Sequence, residues 1–220
     1  MKRRLNILCV IVMLVLSYSV LQTGYYFFIG AKAGVEAVVE QPDISTQKDL
    51  MNMKYISLVP ESFSISAGTL FQDSVYNEKS GEYVPVTYAS MLVSVDSHPA
   101  KWEMIAEKAL TFLQMGMYIW AIVLFIRLII SINKSDIFKW KNVRRLRRLG
   151  IALIIGFSCS FLTAYISFRS VDTIFSLRGY NLEVSEIVSS TMLVLGLSAL
   201  IVGEVFAIGL KMKEEQDLTI

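Results

Sequence analysis

Cysteine and histidine are almost absent from this sequence, and so is any grouping of side chains that does chemistry. The two cysteines, Cys9 and Cys159, sit inside apolar runs. They supply neither a disulfide framework nor a structural zinc site, which takes four nitrogen or sulfur ligands. The one histidine, His98, lies in a Ser-His-Pro turn and reads as an exposed turn residue. No nucleophile–base pair, metal-ligand spacing or phosphate-binding loop stands out. Glu103 and Glu107 are four apart on one helix face, the ordinary pattern of a solvated surface. The expectation is a protein that is not an enzyme and needs no cofactor or metal.

Apolar residues are what the chain has in excess. Of 220 residues, 54% are hydrophobic, and the mean hydropathy is +0.53. A soluble domain of this size is rarely so apolar. Four stretches are long enough to cross a bilayer, which takes roughly 20 helical residues. They are residues 5–28, 110–132, 150–168 and 187–210. The first follows Met-Lys-Arg-Arg, and Ala31-Lys32-Ala33 resembles a signal-peptide cleavage site. A signal h-region is shorter, however, at about 7–15 residues. Tyr25, Tyr26, Phe27 and Phe28 form an interfacial aromatic belt at its end. The sequence therefore predicts an uncleaved anchor.

Net charge is only +2, but the charges are segregated. Lys2, Arg3 and Arg4 precede the first span. Lys134, Lys139, Lys141, Arg144, Arg145, Arg147 and Arg148, against the single acid Asp136, fill the stretch between the second and third. Between the first and second spans, six lysines face eleven acids. The positive-inside rule then places both termini and the basic loop in the cytoplasm. Three regions follow. Residues 1–30 are the cytoplasmic N-terminus and first helix, and residues 31–108 are an outer segment leading into helix two. Residues 109–220 hold helices two to four, with the basic loop at 133–149 and a cytoplasmic tail at 211–220. The glycosylation triplet Asn133-Lys134-Ser135 falls on the cytoplasmic side and is disregarded.

Within the outer segment, residues 53–59 and 62–65 are β-rich. Residues 70–76 and 83–95 read as two strands around the polar turn Asn77-Glu78-Lys79-Ser80-Gly81. A cap of this size has a marginal core by itself and is expected to lean on the helices. Pro99 suits the first turn of a helix running straight into span two. The predicted fold class is an all-α membrane protein of four helices with a small β-rich insertion between helices one and two.

Small residues recur every fourth position in span three, at Ala152, Gly156, Ser160 and Ala164. Span four has Ala199, Gly203 and Ala207, with Gly196 upstream. Such stripes let helix backbones approach in lipid, and they predict a tight hairpin of spans three and four. Glu204 interrupts the apolar run. It stands about 10 Å of helix rise from Lys211, and a carboxylate in lipid costs ~3 kcal/mol on insertion scales. Arg127 lies at a matching depth on span two. The expectation is an Arg127–Glu204 ion pair, against the alternative that Arg127 snorkels to the interface and Glu204 is protonated or hydrated.

Residues 134–148 mix Phe138, Trp140, Val143 and Leu146 into a cationic run. This suits a short interfacial helix against anionic lipid headgroups. Direct nucleic-acid binding is set aside, because the run is pinned to the bilayer and needed for topology. In the tail, Glu214, Glu215 and Asp217 are placed to clamp onto Arg144, Arg145, Arg147 or Arg148, or to meet a partner. Exposed pairs are worth at most ~1 kcal/mol each, so such a clamp would be easily displaced.

Two motifs carry a family resemblance. Asp136-Ile137-Phe138, followed by Asn142-Val143-Arg144-Arg145-Leu146-Arg147-Arg148-Leu149-Gly150, resembles the loop of the DUF2975 family of bacterial membrane proteins. The ending Glu204-Val205-Phe206, Gly209-Leu210 and Glu214-Glu215-Gln216-Asp217-Leu218-Thr219-Ile220 is similar to that family's C-terminus. Lys139 stands where the family has a helix-capping Thr, and Ala207-Ile208 replaces a basic pair. The resemblance implies a multi-pass protein of the bacterial cytoplasmic membrane with no assigned activity. It also implies a neighbouring helix-turn-helix regulator as a cytoplasmic partner. The favoured reading is a sensory or regulatory protein, with a small transporter or transporter accessory subunit as the alternative. Self-association into a homo-oligomer is compatible with either.

Overall fold

The structure, a computed structural model, describes residues 2–39, 52–61, 71, 73–97, 99–134, 139–184 and 189–218. The expectations for Ser62–65, His98, Asp136, Phe138 and Thr219 lie outside the described residues. Among the described residues nine elements follow in chain order: α1 (Lys2–Val39), β1 (Met53–Pro60), β2 (Asp73–Asn77), β3 (Glu82–Val86), β4 (Ser90–Ser94), α2 (Lys101–Asn133), α3 (Trp140–Asp172), β5 (Tyr180–Glu183) and α4 (Thr191–Leu218). Among the described residues four helices are long and apolar enough to cross a membrane: Ile7–Glu36 within α1, then α2, α3 and α4 in full.

The helices outrun the apolar stretches that announce them. α2 starts at Lys101, just after Pro99, as the sequence predicts. The Ala100 amide donates to Glu103 Oε2 at 3.0 Å, and the Glu103 amide donates to the Ala100 carbonyl at 2.9 Å. This reciprocal closure satisfies first-turn groups that have no partner inside the helix. α3 begins at Trp140, so the basic run is no separate interfacial helix but the opening turns of α3 itself. α4 continues through the acidic tail to Leu218.

The chain divides into two compact units. One holds residues 1–41, 110–160 and 190–220, and the other residues 42–109 and 161–189. The second unit carries the strands. β1 is the centre of a three-stranded antiparallel sheet in the order β4-β1-β5. Tyr55 faces Leu92 on one side of β1, and Leu58 faces Leu182 on the other. β2 and β3 form a separate hairpin. Its turn uses Gly81 at φ +71°, where a side chain would be strained, and Asn77 Oδ1 accepts from the Lys79 amide at 3.0 Å.

Two sequence expectations change here. Residues 83–95 are not one strand but two, because β3 pairs with β2 while β4 pairs with β1. The change of partner needs a break, and there the Leu58 amide donates to the Ala89 carbonyl at 2.8 Å. The β structure is also not confined to the stretch between α1 and α2. β5 comes from the connection between α3 and α4.

The unit's core gathers Ile56 and Leu58 from β1, Val171 from α3 and Tyr180 from β5. Tyr180 also joins the two β structures. Its hydroxyl donates to Asp73 Oδ2 on β2 at 3.1 Å and accepts from the Tyr88 amide at 3.4 Å. Burial, with a smaller contribution from the adjacent Asp73 carboxylate, pushes the Tyr180 phenol above its ordinary value of 10.0. The folded phenol therefore keeps a proton that the unfolded chain releases above pH ~10, so stability falls as pH rises through that range. Tyr180→Phe is expected to cost about 1 kcal/mol at neutral pH and to flatten the alkaline decline. Thermal unfolding of both proteins in detergent between pH 8 and 11 checks this, and equal alkaline slopes would refute it.

Candidate functional site

The unit of residues 1–41, 110–160 and 190–220 contains the motif residues of the sequence analysis, gathered where α3 meets α2 and α4. Val143, Leu146, Leu149 and Gly150 are buried, with the i, i+3, i+4 spacing of an inward helix face. Asn142, 1% exposed, belongs to the same face. Lys141, Arg144 and Arg148 point the other way and are exposed.

Backbone contact sets the register between α3 and α4. A Cβ on Gly150 would stand 2.7 Å from the Gly196 carbonyl oxygen, and one on Gly196 would stand 3.0 Å from the Gly150 carbonyl oxygen. At Gly150 a side chain would force the α4 backbone to shift, and at Gly196 it would require Ile154 and the α3 backbone to give way. Farther along α4, a Cβ on Gly203 would lie 3.4 Å from Leu146 Cβ. The seam of α4, at Gly196, Ala199, Gly203, Ala207 and Leu210, is buried or half-buried. It meets the α3 face of Leu146, Arg147, Gly150 and Ile154.

The small-residue stripe of α3 turns elsewhere. Ala152 is fully buried with Ala121 and Leu124 of α2. A Cβ on Gly156 would press on the Tyr118 ring at 2.6 Å, and the Tyr118 and Ser160 hydroxyls lie 3.1 Å apart. Ala164 is also buried. The expected hairpin of spans three and four therefore exists, but the stripe 152-156-160 packs on α2. Periodicity identifies a narrow face without naming its neighbour.

The register places Glu204 opposite Arg147, not Arg127. Arg147 Nε donates to Oε1 at 2.8 Å and Nη2 to Oε2 at 2.9 Å, a bidentate fork. The two side chains are 43% and 59% exposed. Counted from Lys211, Glu204 lies at the depth of Arg127, but α4 continues as helix past that lysine to Leu218. Because Gly203 touches Leu146 and Arg147, Glu204 is level with the cationic turns of α3. Arg127 enters the junction through its backbone. Arg145 Nη1 donates to the Arg127 carbonyl at 3.1 Å and to Asn142 Oδ1 at 3.0 Å. Thus Arg145 ties α3 to α2, and Arg147 ties α3 to α4.

The tail adds one more contact. Trp140 Nε1 donates to Glu214 Oε1 at 2.6 Å, while Glu215 pairs with Lys211 at 3.9 Å within α4. Phe206 is half-buried, and Asp217 and Leu218 are exposed. A Cβ on Gly209 meets nothing within 4 Å. Among the described residues Lys141, Arg144 and Arg148 enter no ion pair. Sequence reasoning had offered Arg147 to the acidic tail rather than to Glu204, and it missed Trp140 as the tail's contact and Tyr118 as a packing partner. The apolar spacing of 143, 146 and 149 inside the basic run was the available signal for the first. Among the described residues no group of three or more His, Cys, Asp or Glu side chains is placed to hold a metal ion.

A family model described as "Protein of unknown function (DUF2975)" matches residues 69–220. The match takes in the hairpin, all of α2 to α4 and both motifs. No curated protein matches, and no solved structure matches.

Charge reversal tests the junction. Arg147→Glu and Glu204→Arg should each lower thermal stability, and the double variant should recover most of the loss. Additive losses would show that the pair is not coupled. Gly150→Ala and Gly196→Ala should each cost ~1–3 kcal/mol through backbone crowding. Gly209→Ala, with open space around it, should be neutral or stabilise by up to ~1 kcal/mol. Equal effects at all three glycines in thermal unfolding would contradict the register.

Proposed function

The chain belongs to the DUF2975 family, and from that premise we infer a non-enzymatic, multi-pass protein of the bacterial cytoplasmic membrane with a sensory or regulatory role. On this reading α1 to α4 cross the bilayer. Both termini and the opening turns of α3 face the cytoplasm, and the β structures lie outside. Support comes from the length and hydropathy of the four helices and from the segregated charge. Lys141, Arg144 and Arg148 form the face that meets anionic lipid headgroups, each cation contributing about 1 kcal/mol near such a surface.

One observation carries the regulatory reading: the acidic end of α4 is held to α3 by the Trp140–Glu214 hydrogen bond. Both groups are exposed, so water competes for each of them and the bond is a weak tether. A cytoplasmic partner with competing donors displaces it at little cost. The partner of this reading is a small helix-turn-helix regulator, which itself would do any nucleic-acid binding. Exposed apolar faces on α1 and α4 also suit contact with lipid or a second copy.

Co-purification tests the reading. Full-length protein should retain the regulator, and a variant lacking residues 211–220 should lose it. Trp140→Phe, which frees Glu214, should retain it more strongly. Unchanged retention by the truncated variant would remove the tail from the contact and sink this mechanism.

A further inference from the structure

Arg127 takes part in the α2–α3 junction only through its backbone. Its carbonyl accepts from Arg145 Nη1 at 3.1 Å, but its own guanidinium makes no hydrogen bond or ion pair among the described residues. The side chain is exposed. Trp120 and Val123 stand seven and four residues before it and Ile130 three after it, which is one face of a helix. All three are exposed, whereas Ala121, Leu124 and Leu128 carry the buried face of α2. Arg127 thus sits in an apolar, outward row, about 9 Å of helix rise from the end of α2 at Asn133. On the reading that α2 crosses the bilayer, this row meets lipid, and a cation there is costly unless it finds a polar partner. The acid of the neighbouring α3–α4 pair is taken, since Glu204 holds Arg147 with both oxygens. Arg145 adds a second positive charge. Its Nη1 bonds the Arg127 carbonyl and Asn142 Oδ1, both neutral acceptors, and it enters no ion pair among the described residues.

Two arginines that meet at one residue without a carboxylate attract an anion. A long basic side chain lies along apolar surface and lifts its charged head toward the interface. The anion met at that level is a lipid phosphate, and the planar guanidinium matches two phosphate oxygens at once. We propose that Arg127 binds the phosphate of one membrane phospholipid, with Arg145 behind it fixing the backbone and adding charge. A headgroup that carries its own ammonium brings a cation that both arginines repel. The site therefore prefers an anionic phospholipid such as phosphatidylglycerol. Free phosphate offers the same oxygens but lacks the acyl chains that Trp120, Val123 and Ile130 would meet. The outward face of Lys141, Arg144 and Arg148 attracts any anionic surface, whereas Arg127 holds a single lipid molecule. The site rests on α2 being a membrane helix and on no part of the sensory role.

The test uses the full chain in nanodiscs of phosphatidylcholine, with or without phosphatidylglycerol. Thermal unfolding is followed in about 1 M salt, where the screening length is about 3 Å. Diffuse attraction by exposed cations is then suppressed, while a phosphate in contact with the guanidinium persists. Phosphatidylglycerol should still raise the unfolding temperature. Native mass spectrometry should find it retained at least about tenfold more tightly than phosphatidylcholine. Arg127→Gln should lose both effects. Because Arg145 bonds the backbone at position 127, this variant should unfold at the wild-type temperature in pure phosphatidylcholine. Arg127→Lys, which keeps the charge without the fork, should retain part of the preference. Arg145→Gln should lower the unfolding temperature in both lipids and also narrow the difference between them, which a loss of structure alone would not do. Inorganic phosphate, added to the protein in detergent, should not reproduce the stabilisation. Failure of the wild type to enter phosphatidylcholine discs removes the membrane reading and the site with it. Entry without a preference for phosphatidylglycerol, an undiminished preference in Arg127→Gln, or equal stabilisation by inorganic phosphate overturns the lipid site alone.

Discussion

Everything at the α3–α4 junction depends on two missing side chains. Gly150 and Gly196 let the backbones touch; a side chain at Gly150 would press on the α4 backbone at 2.7 Å, and one at Gly196 would crowd Ile154 and the Gly150 carbonyl. That contact fixes which turn of α4 stands beside which turn of α3. Arg147 then meets Glu204 with both prongs of its guanidinium, and Trp140 reaches Glu214. The polar contacts are thus consequences of register rather than its cause. Exposed pairs of this kind are too weak to impose a helix crossing by themselves, whereas steric contact between backbones tolerates no slippage.

The same helix separates two uses of positive charge. Arg145 and Arg147 are spent on contacts between helices, with a carbonyl, an amide side chain and a carboxylate. Lys141, Arg144 and Arg148 remain on the outward face. A run of cations that looks uniform along the sequence is therefore two populations, sorted by helical periodicity. Loss of a helix-bridging arginine should loosen the helices, whereas loss of an outward cation should change what the surface attracts. For the proposed membrane protein this sorting puts lipid contact and helix assembly on different residues of one motif.

Much of this was legible in the sequence, for identifiable reasons. Four apolar stretches bounded by charge announce four helices, because few other structures tolerate so long an uninterrupted run. The small-residue stripes were visible as packing faces, yet Gly156 found Tyr118 of α2 rather than α4. A single chain gives the angle of a face but not the identity of what covers it. Arg127 was a plausible partner for Glu204 only while depth was measured from the first lysine after the apolar run. α4 continues as helix past that lysine, and the cationic turns of α3 lie alongside it. Around residues 83–95 the β propensity was right, but the switch of partner between β3 and β4 is decided by distant strands. β5 is only four residues long, too short for an alternating pattern to register, and its partner is far away in the chain.

That distance shapes how the molecule comes into being. β1 is the middle strand of its sheet, but Ser57 pairs with Glu183, so one of its edges stays open until three of the four long helices have been made. A strand with an open edge is a template for any other extended chain. During synthesis, then, the sheet is unfinished business on one flank for most of the time the ribosome is at work. The late arrival of four residues closes it. The connection between α3 and α4 is in this sense less a loop than a closing stitch, and a protein shortened before it would carry a permanently unsealed edge.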